Sequence, residues 1–136
     1  MVEQQVVSSS TWFKDELGLA KADFAAVVLK KPSVLGLDVP RQLRPKAAYL
    51  RRMLSGCDLK ELVLASPDLL CLSLIDTIVP RLQFCQAKGH WPLRDLEDVR
   101  RVLSGRRDEF LSLLNAEQKQ YDQYVRTLNI KALAYD

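Results

Sequence analysis

The sequence predicts an all-α fold, a short helical-repeat solenoid closed by a C-terminal helical cap. Three observations carry that prediction. No segment alternates apolar and polar residues at period two over the length of a strand. The leucine-rich stretch LASPDLLCLSLIDTIVPRLQF (Leu64 to Phe84) carries two prolines, Pro67 and Pro80. A proline inside a helix costs about 3 kcal/mol, because it lacks a donor and clashes with the preceding turn. Both prolines recur: an offset of 35 residues takes Pro67 back to Pro32 and Pro80 back to Pro45. The same offset pairs Asp58 with Asp23, Leu59 with Phe24, Leu62 with Val27, Val63 with Val28, Leu70 with Leu35 and Ile78 with Leu43. The prolines are therefore punctuation in a repeat, and a period of this length marks a solenoid.

Each unit reads as helices. PKAAYLRRMLSG starts a helix near Pro45, has apolar residues at helical spacing and stops at Gly56. CDLKELVLASP offers Asp58 as N-cap and Glu61 as its capping-box partner, and must end before Pro67. PDLLCLS is a short turn, of 3₁₀ type, whose Leu69 and Leu70 plug the core. SLIDTIVPRLQFCQAKG restarts a helix with Ser73 as cap, kinked or broken at Pro80 and ended by Gly89. A third unit begins at Pro80 with about two extra residues around Trp91 and Pro92, after which Asp95 and Leu96 take the places of Asp58 and Leu59. Its proline is missing, as expected of a terminal repeat. Beyond Gly105, Asn115 breaks a helical pair that caps the stack. The expected organisation is a flexible segment over 1–10, repeats over 11–105 and capping helices over 106–136. The expected core is Phe24, Val27, Val28, Leu35, Leu43, Leu50, Leu59, Leu62, Val63, Leu70, Ile78, Leu82 and Phe84.

Composition narrows the function classes. The chain is 48% hydrophobic and 27% charged, which fits one globular domain. The longest apolar run, Leu69 to Val79, is interrupted by Asp76 and falls short of the roughly 20 residues of a membrane span. The N-terminus resembles neither a secretory signal nor an Arg-rich transit peptide. Cys57, Cys71 and Cys85 form no close metal-binding pair and read as free thiols. His90 is the only histidine, so no metal site is expected. No phosphate loop, nucleophile elbow or zinc-protease motif occurs, and the chain reads as non-catalytic and free of cofactors.

The repeated elements KKPSVLGL and ASPDLLCL, followed by LRPKAAYL and more loosely by IVPRLQFC, resemble the mitochondrial transcription termination factor (mTERF) family. The resemblance covers roughly Trp12 to Ser104. It implies a superhelical stack that presents basic residues to DNA or RNA, acting in gene expression or ribosome assembly in mitochondria or chloroplasts. Fewer than three units cannot track a duplex for a full turn, which favours RNA. The alternative is an architectural or protein-binding subunit of a larger organellar assembly such as a ribosome. A fragment of a longer member is a third reading.

The net charge of +3 is mild, but seven basic residues against one acid lie between Lys30 and Arg52. The candidate nucleic-acid contacts are Arg41, Arg44, Lys46, Arg51, Arg52, Arg81, Arg100, Arg101, Arg106 and Arg107. Arg44, Lys46 and Arg81 flank the repeat prolines and are expected to form a row along the stack. Taken singly, the Arg pairs also fit an ordinary solvated helix face. Trp12 and Trp91 are candidate partner contacts, whereas Tyr49 and Phe84, equivalent in two repeats, are expected in the core.

Overall fold

The computed structural model describes residues 2–135, with side chains from residue 10 onward. The described residues form nine α-helices and no strand. They are α1 (Val2–Leu17), α2 (Lys21–Lys30), α3 (Arg44–Met53), α4 (Leu59–Ala65), α5 (Val79–Ala87), α6 (Leu96–Ser104), α7 (Arg107–Leu113), α8 (Gln118–Arg126) and α9 (Ile130–Tyr135). Helix α1 runs across the boundary expected at residue 10. None of the helices is long and apolar enough to cross a membrane.

The repeat is visible in the backbone. Lys31 and Ser66 share one backbone conformation (φ/ψ −146°/82° and −142°/75°), and each is followed by a proline-led 3₁₀ turn, Pro32–Gly36 and Pro67–Cys71. Five-residue π-type turns follow, Val39–Leu43 and Leu74–Ile78, and lead directly into α3 and α5. Here the helix is neither kinked nor broken at proline. Leu43 N–H donates to Asp38 and Ile78 N–H to Ser73, each five residues back. Pro45 and Pro80 are the second residues of α3 and α5, where a missing N–H costs nothing. The wider turn before them also removes the tight four-residue spacing that a proline ring cannot share. Ser73 caps this turn through Asp76 N–H (3.0 Å).

Asp58 and Asp95 cap α4 and α6 in the same way, accepting from Lys60 and Glu97 N–H at 2.9 Å. The cap at Asp58 is a bond to Lys60, not the expected reciprocal box with Glu61. Helix α2 begins earlier than α4 in repeat register, so Asp23 bonds Ala20 N–H instead of capping. Gly89 ends α5 at positive φ (82°), with His90 N–H reaching back to Cys85. Gly105 replaces the third proline turn. A Cβ there would meet the Arg101 carbonyl at 2.5 Å.

The core runs through the stack. Leu69, Leu70, Leu43, Tyr49, Ile78 and Leu82 are fully buried. Phe24, Val28 and Leu35, expected in the core, are only half-buried. Asn115 breaks the tail at a left-handed φ of 51°, but three helices follow Gly105 where a pair was expected. Helices α7 and α8 pack by α6 and α5, while α9 folds back against α3, α5 and the Leu74–Ile78 turn. Phe84, Phe110, Tyr121 and Tyr124 form the aromatic cluster that joins tail to stack, with centroids 5.2 to 6.2 Å apart.

Candidate nucleic-acid interface

A helix C-terminus leaves carbonyls without intrahelical partners and carries a partial negative charge, so it attracts cations. Much of the basic cluster meets that need. Lys30 Nζ donates to Leu64 at the end of α4 (2.9 Å). Arg51 donates to the Glu16 carbonyl at the end of α1 and pairs with its carboxylate at 3.8 Å. Arg52 donates to Leu133 of α9 (2.7 Å) and lies over the Tyr49 ring.

Lys46 and Arg81, one repeat apart, behave alike. Lys46 is 5% exposed, and its Nζ donates to the Leu70 carbonyl at 2.7 Å. Arg81 shares one nitrogen, Nη1, among the carbonyls of Val102 (3.0 Å), Leu103 (3.3 Å) and Gly105 (2.6 Å) and lies over Phe110. Burial lowers the pKa of both. The expected surface row of Arg44, Lys46 and Arg81 is therefore corrected. The equivalence by repeat holds, but Lys46 and Arg81 point inward and tie each unit to the end of the next.

The remaining arginines are exposed. Arg100 and Arg101 pair with Glu97, and Arg106 with Asp108 and Glu109. Neighbouring carboxylates thus answer most of that second basic cluster, and Arg107 opens α7 beside it. Arg44 shares a cleft with Asp15 and Glu16. Arg41 is 87% exposed in its side chain and lies 3.9 Å from Asp38, the outer limit of an ion pair. Trp12 is buried at 4% exposure, which withdraws it as a contact for a partner. Trp91 is half-buried and packs on the core.

Two of these cations meet at one place. A cleft of about 340 Å³ is lined by Arg41, Gln42, Lys46, Cys71, Ser73 and Tyr135, among others. Among the described residues no carboxylate lies within ion-pair distance of Lys46. Its ammonium has three donors and spends one on Leu70. Gln42 and Tyr135 drew no notice in the sequence. Gln42 is a turn residue, and Tyr135 arrives only because α9 folds back.

Among the described residues no cluster of His, Cys, Asp or Glu could hold a metal. His90 lies 3.1 Å from Asp98 at the end of α5. Cys57, Cys71 and Cys85 are free thiols, and burial pushes Cys85 up to about 12.

These features define a helical-repeat protein: units at a 35-residue period, stacked through proline-led turns and tied by cations to helix ends. The repeat is that of mTERF, whose family model matches residues 1–106, and the chain belongs to that family. The mTERF proteins are nucleic-acid-binding regulators of organellar gene expression, generally non-catalytic. Comparisons with curated proteins and with solved structures gave no match.

Proposed function

We propose that this chain acts in organelle gene expression, in the mitochondrion or chloroplast, by binding nucleic acid, with structured RNA preferred over duplex DNA. It does so without catalysis. The observation that carries the reading is the Lys46 cleft: a buried ammonium with unused donors and no carboxylate, beside the exposed Arg41. An unpaired buried charge is costly, and a phosphate oxygen entering the cleft offsets that cost. Ser73 and Gln42 add polar groups at the rim. The short stack supports RNA, because two full units present a local contact and not a long groove. Ribosomal RNA is one target of suitable local structure.

The test is a titration of labelled RNA hairpin, single-stranded RNA and duplex DNA from low to physiological salt. The hairpin is expected to bind at physiological salt about tenfold more tightly than the duplex, and an Arg41→Glu/Arg44→Glu variant to lose that binding. Equal affinity for duplex and hairpin contradicts the RNA preference. Loss of all binding by physiological salt removes the reading, since only non-specific electrostatics then remain.

An architectural role within a larger organellar assembly is the second reading. It is favoured by one feature, an open apolar face at the first unit.

A further inference from the structure

Helix α2 carries a groove of about 650 Å³ lined by Lys21, Phe24, Val28, Leu29 and Leu35, with Ser10 and Thr11 of α1 along its other wall. Leu29 is 83% exposed, the most exposed large apolar side chain among the described residues. The repeat shows what kind of surface this is. One period later stand Leu59, Val63 and Leu70, at 8%, 1% and 0% exposure. There, α2 and its Pro32–Gly36 turn lie against α4 and the Pro67–Cys71 turn. The open groove on α2 thus continues the stacking interface that is filled between the first two units. What fills it inside the stack is a helix with an apolar face.

Charge decides between occupants. Lys21 lines the groove, and Lys14 and Lys21 line the cleft that adjoins it at Phe24. No carboxylate lines either one among the described residues. A second copy of this chain, brought face to face, sets lysine against lysine. An apolar helix flanked by carboxylates satisfies both the groove and its rim.

We infer that the α2 groove docks an amphipathic helix of a partner protein, apolar on one face and acidic along its edge, as a further layer of the stack. This goes beyond nucleic-acid binding and uses a different face from the Lys46 cleft.

The probe is a labelled peptide helix of about four turns with leucines on one face and flanking glutamates, compared with a version carrying lysines in place of the glutamates. The acidic peptide is expected to bind saturably and about tenfold more tightly than the basic one. Leu29→Glu, at a position already in solvent, is expected to abolish binding and to leave the circular dichroism spectrum and melting temperature unchanged. Phe24→Ala provides a second, uncharged variant with the same expected loss. Absence of binding, equal binding of both peptides, or binding that survives both variants overturns the proposal. Light scattering of the free chain is measured alongside. A dimer that Leu29→Glu dissociates assigns the groove to a second copy and overturns the acidic-helix assignment.

Discussion

Lys46 and Arg81 occupy the same place in successive units, and the difference between them separates structure from function. Both reach forward to the end of the following unit's turn or helix. Arg81 turns one guanidinium nitrogen, Nη1, toward three carbonyls of a single helix end and lays its plane over Phe110. Lys46 makes one bond and faces a cleft. The guanidinium nitrogen is shared among the carbonyls of a helix end, whereas the ammonium at the same position holds a single carbonyl. The clamp is thus a property of the repeat, and the cleft beside Lys46 belongs to the first junction.

The comparison is broken most severely at its stronger clamp. Arg81→Met is expected to cost about 3 kcal/mol, because the carbonyls of a helix end lose the charged nitrogen they share and Phe110 loses the guanidinium above it. Urea denaturation measures this, and a loss below about 1 kcal/mol would show that the helix end is satisfied some other way. A second pair sharpens the contrast between covered and open units. Leu70→Ala is expected to cost about 3 kcal/mol, at the level of a fully buried leucine, and Leu35→Ala about 1 kcal/mol or less. Equal losses would contradict the claim that the first unit's face stands open.

Alkaline pH tests the sealed second junction. Burial holds Cys85 at about 12 against an ordinary 9.0, and it also raises Tyr49 and Tyr121. For such groups the unfolded chain gives up its proton first. Their stability is present in full below the ordinary value and is lost as pH rises through the folded value. Stability is therefore expected to fall between pH 9.0 and about 12. Cys85 is expected to resist thiol reagents at neutral pH until the protein unfolds. Rapid labelling of Cys85 in the native state would refute its burial.

The smallest effect on stability is expected at Lys46. Its pKa is lowered, so the unfolded chain holds that proton more tightly, and the buried charge costs stability below the lowered value. Lys46→Met removes this cost but leaves the Leu70 carbonyl without a donor, so the net change is expected within about 1 kcal/mol. A much larger loss would mark Lys46 as a clamp of Arg81's kind.

The fold was legible because repetition fixes it twice. Proline pairs, the Asp58 and Asp95 caps and the proline-led turns at Pro32 and Pro67 each announce a boundary that local physics enforces. The widened turns before Pro45 and Pro80 were not legible, since a proline near a helix start fits both a break and a tolerated second position. The return of α9 onto α3 and α5 depends on tertiary packing that six residues do not announce. The candidate site was read least well. Sequence shows where cations cluster, but a cation serving a helix end and one awaiting a phosphate have the same composition. Lys30, Arg51, Arg52 and Arg81 went to carbonyls that only the folded chain brings near. Phe24, Val28 and Leu35 matched the core pattern of the second unit, yet only α1 packs beside them and they stay half-buried.

The most direct test of the account is the salt dependence of RNA-hairpin binding by the native chain and by Lys46→Met. If the cleft at the first junction takes a phosphate, the variant keeps its fold, binds more weakly, and the slope of log affinity against log salt falls by about 0.7 to 0.9, the share of one phosphate contact. If slope and affinity are the same in both proteins, Lys46 is only the weaker of two clamps and the cleft is not where nucleic acid binds.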